Sequence, residues 1–200
     1  MKKSLLYLFL ISSTSLFAQF QTTYPDYVVC DANNDGFAVF NLQAIVPQLF
    51  NGVEPANYDV TFHESYAAAF NNNFLINPPT SYTNTTAYLQ TIYIRIRNIQ
   101  TNSVYIPTMN LVVNNTPVIL NTTQTACFDQ GIAYFDLGIV AEQIWTQNNS
   151  TPNGISVSFY MTQADANASA NPIGYSFTAQ NQTTIIYVNA TNTVTGCSSV

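Results

Sequence analysis

An acidic and amide-rich stretch near the start of the chain has the residue types of a cation site. Asp31, Asn33 and Asp35 alternate and are followed by Gly36, which matches the opening of a calcium-binding loop. Oxygen side chains converge on the ion in such loops, and glycine permits the sharp turn. The bidentate acid expected later in the loop is replaced by Leu42. Calcium is therefore the one cofactor considered, and the competing interpretation is a turn between two strands.

His63 and Glu64 could act together in acid–base or metal chemistry. Neighbouring residues in a strand point to opposite faces, however, so the two side chains would not meet at one site. His63 is also the only histidine of the chain, which leaves a catalytic triad or a zinc site without parts. We therefore predict a surface-exposed strand pair here and no enzyme in this segment.

Aromatic side chains could stack on sugars, with Asn and Gln amides as hydrogen-bond partners. The chain has thirteen tyrosines and a single tryptophan, Trp145. Most of the aromatic residues fall on predicted strand positions, where sheets favour them without any ligand. No sequence feature selects one aromatic platform, so carbohydrate binding is kept as an alternative.

Short strands must position these residues. Residues 58–62 and 92–97 alternate large apolar with polar or amphipathic side chains, the period of two that indicates half-buried strands. Ile92, Ile94 and Ile96 should face the core. Turn clusters rich in Asn, Gly and Pro separate the strands, as a sandwich of short strands requires. Single helical turns are predicted over residues 42–50, 65–70, 140–145 and 163–168.

The chain repeats itself once. Residues 30–42 align with residues 127–137, and residues 92–94 align with residues 186–188. Small deletions in loops account for the drift in spacing between these matches. Two similar units therefore follow one another along the chain.

We predict an all-β fold of two tandem immunoglobulin-like (fibronectin-III-like) β-sandwich modules behind a signal peptide. The signal peptide spans residues 1–18, the first module residues 24–115 and the second module residues 118–200. The first copy closes with a predicted strand over residues 109–113. The second copy has no counterpart before Val200, so we expect a module that is incomplete at its C-terminus, an exposed sheet edge and further repeats of the same chain.

The leader and the charge balance narrow the class of protein. Lys2 and Lys3 precede an apolar run that reaches Ala18, the pattern of a secretory signal peptide. Lysine is confined to this leader, which leaves Arg95 and Arg97 against ten acidic residues. Nucleic acids and anionic lipids bind clustered Lys and Arg, so we expect neither a nucleic-acid partner nor membrane insertion after signal cleavage.

Three motifs carry a family resemblance: Cys-Asp-x-Asn-x-Asp-Gly-Phe-x-x-Phe-(Asn/Asp)-Leu at 30–42, Gln-Thr-Ile-Tyr-Ile-Arg-Ile at 90–96 and Thr-Gly-Cys at 195–197. Together they resemble the repeats of large flavobacterial surface proteins. Those immunoglobulin-like arrays typically precede a gliding-motility-associated region that directs type 9 secretion. The resemblance implies a non-catalytic adhesin segment at the cell surface, acting as spacer or binding module, with surface glycans or proteins as partners. The alternative is a carbohydrate-binding accessory region of a secreted polysaccharide-degrading enzyme.

Three cysteines in an exported chain predict one disulfide and one leftover thiol. The repeat alignment favours Cys127 with Cys197 and leaves Cys30 unpaired. Bridged Cα atoms must lie within about 7 Å of each other, so Cys127 must lie at the end where residues 192–196 turn. Free thiols and a disulfide between Cys30 and Cys127 are the alternatives.

Overall fold

The structure is a computed structural model that describes residues 20–50 and 54–200. The predicted signal peptide, residues 1–18, lies outside these described residues. The described chain is mostly β with a few short helices, so the all-β prediction is confirmed at that level. Among the described residues, no helix is long and apolar enough to cross a membrane.

The first copy contains one large sheet and one two-stranded sheet. In the large sheet the strand order is β1-β7-β5-β3, with β6 against the end of β5, and β2 pairs with β4 in the small one. Strand β1 lies parallel to β7, whereas the other pairs are antiparallel. The strands are β1 (Tyr27–Asp31), β2 (Val39–Phe40), β3 (Tyr58–His63), β4 (Tyr82–Thr83), β5 (Leu89–Asn98), β6 (Val104–Tyr105) and β7 (Thr108–Asn115).

The core of the first copy lies on one face of its large sheet. Ile92, Ile94 and Ile96 on β5 are fully buried, as predicted from their alternation, and the residues between them are partly exposed. Strand β7 adds three more buried side chains at alternate positions, each stabilising the fold by about 1.5–3 kcal/mol. These are Met109, Leu111 and Val113.

The second copy contains a three-stranded sheet in the order β12-β11-β9 and a two-stranded sheet of β8 with β10. The pairing of β9 with β11 repeats the pairing of β3 with β5, since Ile155 faces Asn192 just as Tyr58 faces Asn98. The strands are β8 (Ala133–Asp136), β9 (Ile155–Tyr160), β10 (Ser176–Ala179), β11 (Tyr187–Asn192) and β12 (Ser198–Ser199).

Short helices lie at all four predicted places. They are α1 (Val46–Leu49), which follows a 3-10 turn at Leu42–Ile45, α2 (Tyr66–Asn71), α3 (Gly138–Gln147) and α4 (Gln163–Ala168); a further 3-10 turn spans Pro55–Asn57.

Helices α2 and α4 occupy the same place in the two copies and have the same caps. Ser65 and Thr162 each accept a hydrogen bond from a backbone N–H three residues on, which satisfies a donor at the helix start. Asn72 and Ser169 end the helices in the left-handed conformation. The internal repeat is therefore a repeat of structure as well as of sequence.

The copies differ where β1 and β7 lie in the first one. Residues 118–128 and 183–186 of the second copy have no helix or strand. Strand β11 meets β12 only through Ala190 and Thr191. The second large sheet therefore has three strands where the first has five.

Candidate functional site

A disulfide joins Cys30 to Cys197, across the boundary between the two copies. Their Cα atoms lie 5.5 Å apart, and 167 positions separate them in the sequence. Cys30 lies on β1, and Cys197 is completely buried just before β12. The predicted pair of Cys127 with Cys197 is therefore wrong, and so is the alternative of Cys30 with Cys127, because Cys127 is a free, exposed cysteine.

Cys30 can reach the second copy because it points away from its own core. Along β1, Tyr27 and Val29 pack against the core of the first copy. Val28 and Cys30 lie on the opposite, exposed face. Residues 27–30 are all apolar in the sequence, so this orientation of Cys30 could not be read from it.

Cys197 is positioned by a tight hairpin between β11 and β12. The Asn192 side chain accepts hydrogen bonds from the backbone N–H groups of Val194 and Thr195, at 2.9 and 3.0 Å. Gly196 follows with φ of +75°, which favours glycine, and its N–H donates to the Asn192 carbonyl. The hairpin thereby fixes the backbone next to Cys197.

The first copy has the same hairpin without the thiol. Asn98 accepts from the N–H groups of Gln100 and Thr101, and Asn102 takes the left-handed conformation. Ser103 stands where the second copy has Cys197. The first hairpin therefore has no thiol for a disulfide, so the early cysteine of the first copy has its partner in the second.

Cys127 lies in a part of the second copy that no strand holds. Its counterpart in the first copy, Cys30, is aligned by the parallel pairing of β1 with β7. Residues 119–128, by contrast, make no backbone–backbone hydrogen bond in the described structure. The repeat alignment treated each copy as closed on itself, which is why it assigned Cys197 to the wrong partner.

The linker between the copies is clamped at both ends. Thr116 donates its N–H to the Asn34 side chain at 2.8 Å and accepts a bond from the same amide at 3.0 Å. Val118 makes the equivalent pair of bonds with Asn148, at 2.8 and 2.9 Å. Pro117, whose φ is fixed by its ring, is the only residue between these clamps.

The disulfide leaves the first copy beside this linker. Cys30 is paired in register with Asn114, two residues before the clamped Thr116. Across the described residues, no hydrogen bond joins residues 20–117 to residues 118–200. The copies are therefore held together by two covalent connections that start from neighbouring strands.

The chain matches one family model twice, over residues 26–117 and 122–200; its description is the Flavobacterium inter-domain disulphide bond domain. Cys30 lies in the first match and Cys197 in the second, so the bond is inter-domain. The chain belongs to this family. It is thus a Flavobacterium-type protein with two domain repeats. No curated protein matches the chain.

The calcium candidate of the first family repeat is a turn held by its own side chains. Asp31 accepts hydrogen bonds from the N–H groups of Asn33 and Gly36, at 3.1 and 2.7 Å. Asp35 accepts from the Asn33 amide and from the N–H of Phe37, at 2.7 and 2.8 Å. The described residues contain no group of three or more His, Cys, Asp or Glu side chains placed to hold a metal. The competing turn interpretation describes this geometry, and calcium binding stays a prediction.

His63 lies in the interior, so the predicted surface-exposed strand pair is wrong for this residue. Its Nδ1 lies 2.9 Å from the carbonyl of Asn73, and its Nε2 lies 2.9 Å from the hydroxyl of Thr61. A neutral ring protonated on Nδ1 satisfies both contacts, because the carbonyl can only accept. Burial lowers the pKa of His63, and the charge of Arg95 acts in the same direction, against the hydrogen bond to Asn73.

Glu64 and Trp145 also have structural partners. Glu64 accepts a hydrogen bond of 2.8 Å from the hydroxyl of Tyr82, whose pKa is raised by burial and by this contact. The indole N–H of Trp145 donates to the carbonyl of Ile155 at 2.8 Å, and its ring packs on the second core. Neither side chain is brought together with His63 to form a site.

Proposed function

We propose that this chain is a non-catalytic extracellular segment of a flavobacterial adhesin, in which two immunoglobulin-like modules form a rigid spacer. The modules span residues 24–115 and 118–200. The observation that carries the proposal is the disulfide between Cys30 and Cys197 beside a clamped linker. Two connections that leave from neighbouring strands restrict both bending and twisting between modules, which one flexible linker would allow.

Secretion and surface location belong to the same proposal. The leader over residues 1–18 and a disulfide, which persists in oxidising compartments, support export. The resemblance to repeats that precede gliding-motility-associated regions supports the type 9 route. Glycans or proteins of other surfaces are the partners proposed, because two arginines against ten acidic residues disfavour nucleic acid.

Small-angle X-ray scattering of residues 19–200 tests the rigid spacer. We expect the wild-type curve to fit one arrangement of the modules and Cys30→Ser to increase the radius of gyration and the maximum dimension. Cys127→Ser is the matched control, because it removes a thiol and leaves the disulfide intact. Identical curves for Cys30→Ser and wild type would contradict a mechanical role for the bond.

A second candidate function is carbohydrate binding, favoured by an aromatic surface on the first module. We define this surface by Tyr66, Phe70 and Phe74, which are 55%, 66% and 84% exposed. The rings of Tyr66 and Phe70 stack with centroids 6.1 Å apart. Neighbouring exposed rings suit the apolar faces of sugars. The equivalent positions of the second module are polar: Gln163, Asn167 and Asn171.

Glycan-array binding tests this aromatic surface. If it binds sugars, the double variant Tyr66→Ala and Phe70→Ala loses the signal. The control is Tyr134→Ala, which removes an equally exposed ring (72%) from the second module. If the wild-type segment binds no glycan, or if the double variant and the control variant bind equally, the spacer remains the supported function. Hydrolysis of a polysaccharide by the purified segment would contradict both candidates.

A further inference from the structure

Arg95 lies on the face of the first large sheet that points away from the core, and its guanidinium group has no partner. The Nε atom is buried and makes no hydrogen bond. Among the described residues, Nη1 and Nη2 make no hydrogen bond or ion pair either, but these two atoms are open to solvent. Folded proteins pair nearly all buried polar groups, so an unpartnered guanidinium calls for an explanation.

Two comparable side chains are satisfied where Arg95 is not. Arg97, two positions further along the same face of β5, forms an ion pair with Asp59. In the second module the counterpart of Arg95 is Asn189, because β9 and β11 repeat the register of β3 and β5. Asn189 is buried and donates a hydrogen bond of 2.9 Å to the carbonyl of Ala166. Arg95 is therefore the exception both in its own strand and in the repeat.

Aromatic rings lie on the same face as Arg95. Tyr93 and Arg95 occupy alternate positions of β5, so their side chains point to the same side of the sheet. The ring of Tyr66 packs edge-on against Tyr93 with centroids 6.2 Å apart, and it stacks with Phe70. Tyr66 and Phe70 are more than half exposed. Two members of the aromatic surface are thus connected through Tyr93 to the strand that presents Arg95.

The local charge on this face is positive although the chain as a whole is acidic. Both arginines of the chain lie here, and Asp59 neutralises only Arg97. The carboxylate of Asp26 is bound by the Asn110 amide, near the start of β5. Exposed charges further away than about 8 Å are largely screened at physiological salt. One cation is therefore available to an anionic group of a ligand.

We propose that Arg95 and the rings of Tyr66 and Phe70 form a site for one carboxylated sugar, such as a uronic acid, within an otherwise neutral glycan. The carboxylate accepts hydrogen bonds from Nη1 and Nη2 of Arg95, whose planar fork matches its two oxygens. The apolar face of the sugar packs on the exposed rings. A single unpaired cation suits one carboxylate and not a polyanion, which needs clustered cations. This inference rests on carbohydrate binding, the second candidate function, and names its ligand class.

Nuclear magnetic resonance titration of residues 19–200 with three probes tests the proposal. The first probe is xylotriose that carries one glucuronic acid, and the second is the methyl ester of the same oligosaccharide. The third is a blocked Ala-Glu-Ala peptide, which has a carboxylate but no sugar ring. We expect the acid to bind about tenfold more tightly than the ester, because hydrogen bonds to charged groups are the stronger ones. The peptide should bind about tenfold more weakly than the acid, because it lacks the face that packs on the rings.

Three variants locate the site. Arg95→Gln should remove the difference between acid and ester, because it takes away the only unpaired cation. Tyr66→Ala should weaken the binding of acid and ester alike, by about fivefold, because the ring contacts the sugar and not the carboxylate. Arg97→Gln is the matched control: it changes the net charge equally, but it removes a group already paired with Asp59, so the acid should bind as to wild type. Circular dichroism establishes that the variants fold.

Several outcomes would overturn the proposal. Equal binding of acid and ester by the wild-type chain is one, and it decides the matter even if Arg95→Gln does not fold. Equal weakening by Arg95→Gln and Arg97→Gln would indicate a general effect of charge, and a peptide that binds as tightly as the acid would assign Arg95 to protein ligands.

These failures are distinguishable from failure of the proposed functions. Acid and ester that bind equally, and lose binding in the double variant Tyr66→Ala and Phe70→Ala, would keep carbohydrate binding and remove the carboxylated ligand. Binding of no sugar would overturn this proposal and count against the second candidate function. The rigid spacer is tested separately, by scattering of Cys30→Ser.

Discussion

The two modules share sequence pattern, caps and hairpin, yet the large sheet of the first module has five strands and that of the second has three. In the first module β7 aligns β1 on one side and the first half of β5 on the other. In the second module the corresponding residues, 124–128 and 183–186, have no strand structure. In the first module these two segments are strands because both pair with β7, since a strand needs hydrogen-bonding partners at its edges.

The same comparison explains the disulfide. Strand β7 fixes β1, and β1 presents Cys30 on its outer face. The second module supplies a rigid hairpin with Cys197. Each module therefore provides the half of the bond that its own structure holds in place, and the exposed Cys127 lies where the second module lacks regular structure.

Breaking the disulfide should have the largest effect. For a loop of 167 residues, the chain-entropy relation gives a contribution of about 5 kcal/mol to the free energy of unfolding. We expect Cys30→Ser to lower the urea midpoint of the second module more than that of the first, because its sheet has fewer strands. The fluorescence of Trp145, the single tryptophan, follows unfolding of the second module alone, and far-ultraviolet circular dichroism follows both modules. An unchanged Trp145 transition would contradict the prediction; Cys127→Ser is the control.

Removing the central side chain of β7 should shift the first module toward the second. Leu111 is completely buried, and Leu111→Ala should cost about 2–5 kcal/mol of unfolding free energy in the first module. Amide exchange at β1 should accelerate at the same time, because β7 is its neighbour in the sheet. Leu120→Ala, at a 61% exposed position, is the matched control. Exchange at β1 that stays slow would mean that β1 is ordered without β7.

A buried amide marks a smaller difference between the modules. Asn84 accepts from the N–H of Ala38 at 2.7 Å and donates to the carbonyl of Gly36 at 2.9 Å, whereas Ala179 occupies its place in the second module. Asn84→Ala leaves both backbone groups without this partner and should lower the free energy of unfolding of the first module by about 1–3 kcal/mol. Urea denaturation followed by circular dichroism measures it, with the exposed Asn153→Ala as control. Equal midpoints for the two variants would contradict it.

Strand and helix positions could be predicted because they depend on local alternation and capping. The alternation of Ile92, Ile94 and Ile96 indicates their burial directly. The disulfide could not be predicted in the same way, since the pairing depends on how two modules meet. Residues 27–30 are all apolar, so the sequence does not indicate that Cys30 lies on an outer face. Ser103 in the first hairpin is the signal that leaves this cysteine without a partner in its own module.

The burial of His63 could not be predicted from the sequence for a related reason. Its strand face is set by β5, but its burial also depends on residues 73–76, which cross back over it and supply the Asn73 carbonyl. Nothing in the alternation of residues 58–62 indicates that a following loop covers the end of the strand. Side chains at strand ends are therefore where a single sequence says least about exposure.

The smallest predicted effect is a pH dependence confined to the first module. The pKa of His63 is lowered by burial below the value of about 6.5 that an unfolded chain has, so the unfolded state binds more protons between these two values. Stability is therefore fully present above about pH 6.5 and falls as the pH decreases toward the pKa of the folded state. Urea midpoints of the first module, followed by circular dichroism between pH 7.5 and 5.5, measure the fall.

His63→Gln should flatten this dependence, because glutamine can both donate to Asn73 and accept from Thr61 without titrating. The second module has Tyr160 at the equivalent position and no histidine. Its urea midpoint, followed by the fluorescence of Trp145, should therefore stay constant over the same pH range. Its acid sensitivity should begin lower, where carboxylates such as Asp165 protonate; hydrogen bonds from Thr162 and Asn171 lower the pKa of Asp165. Parallel pH profiles for the two modules would therefore remove His63 as the source of the difference.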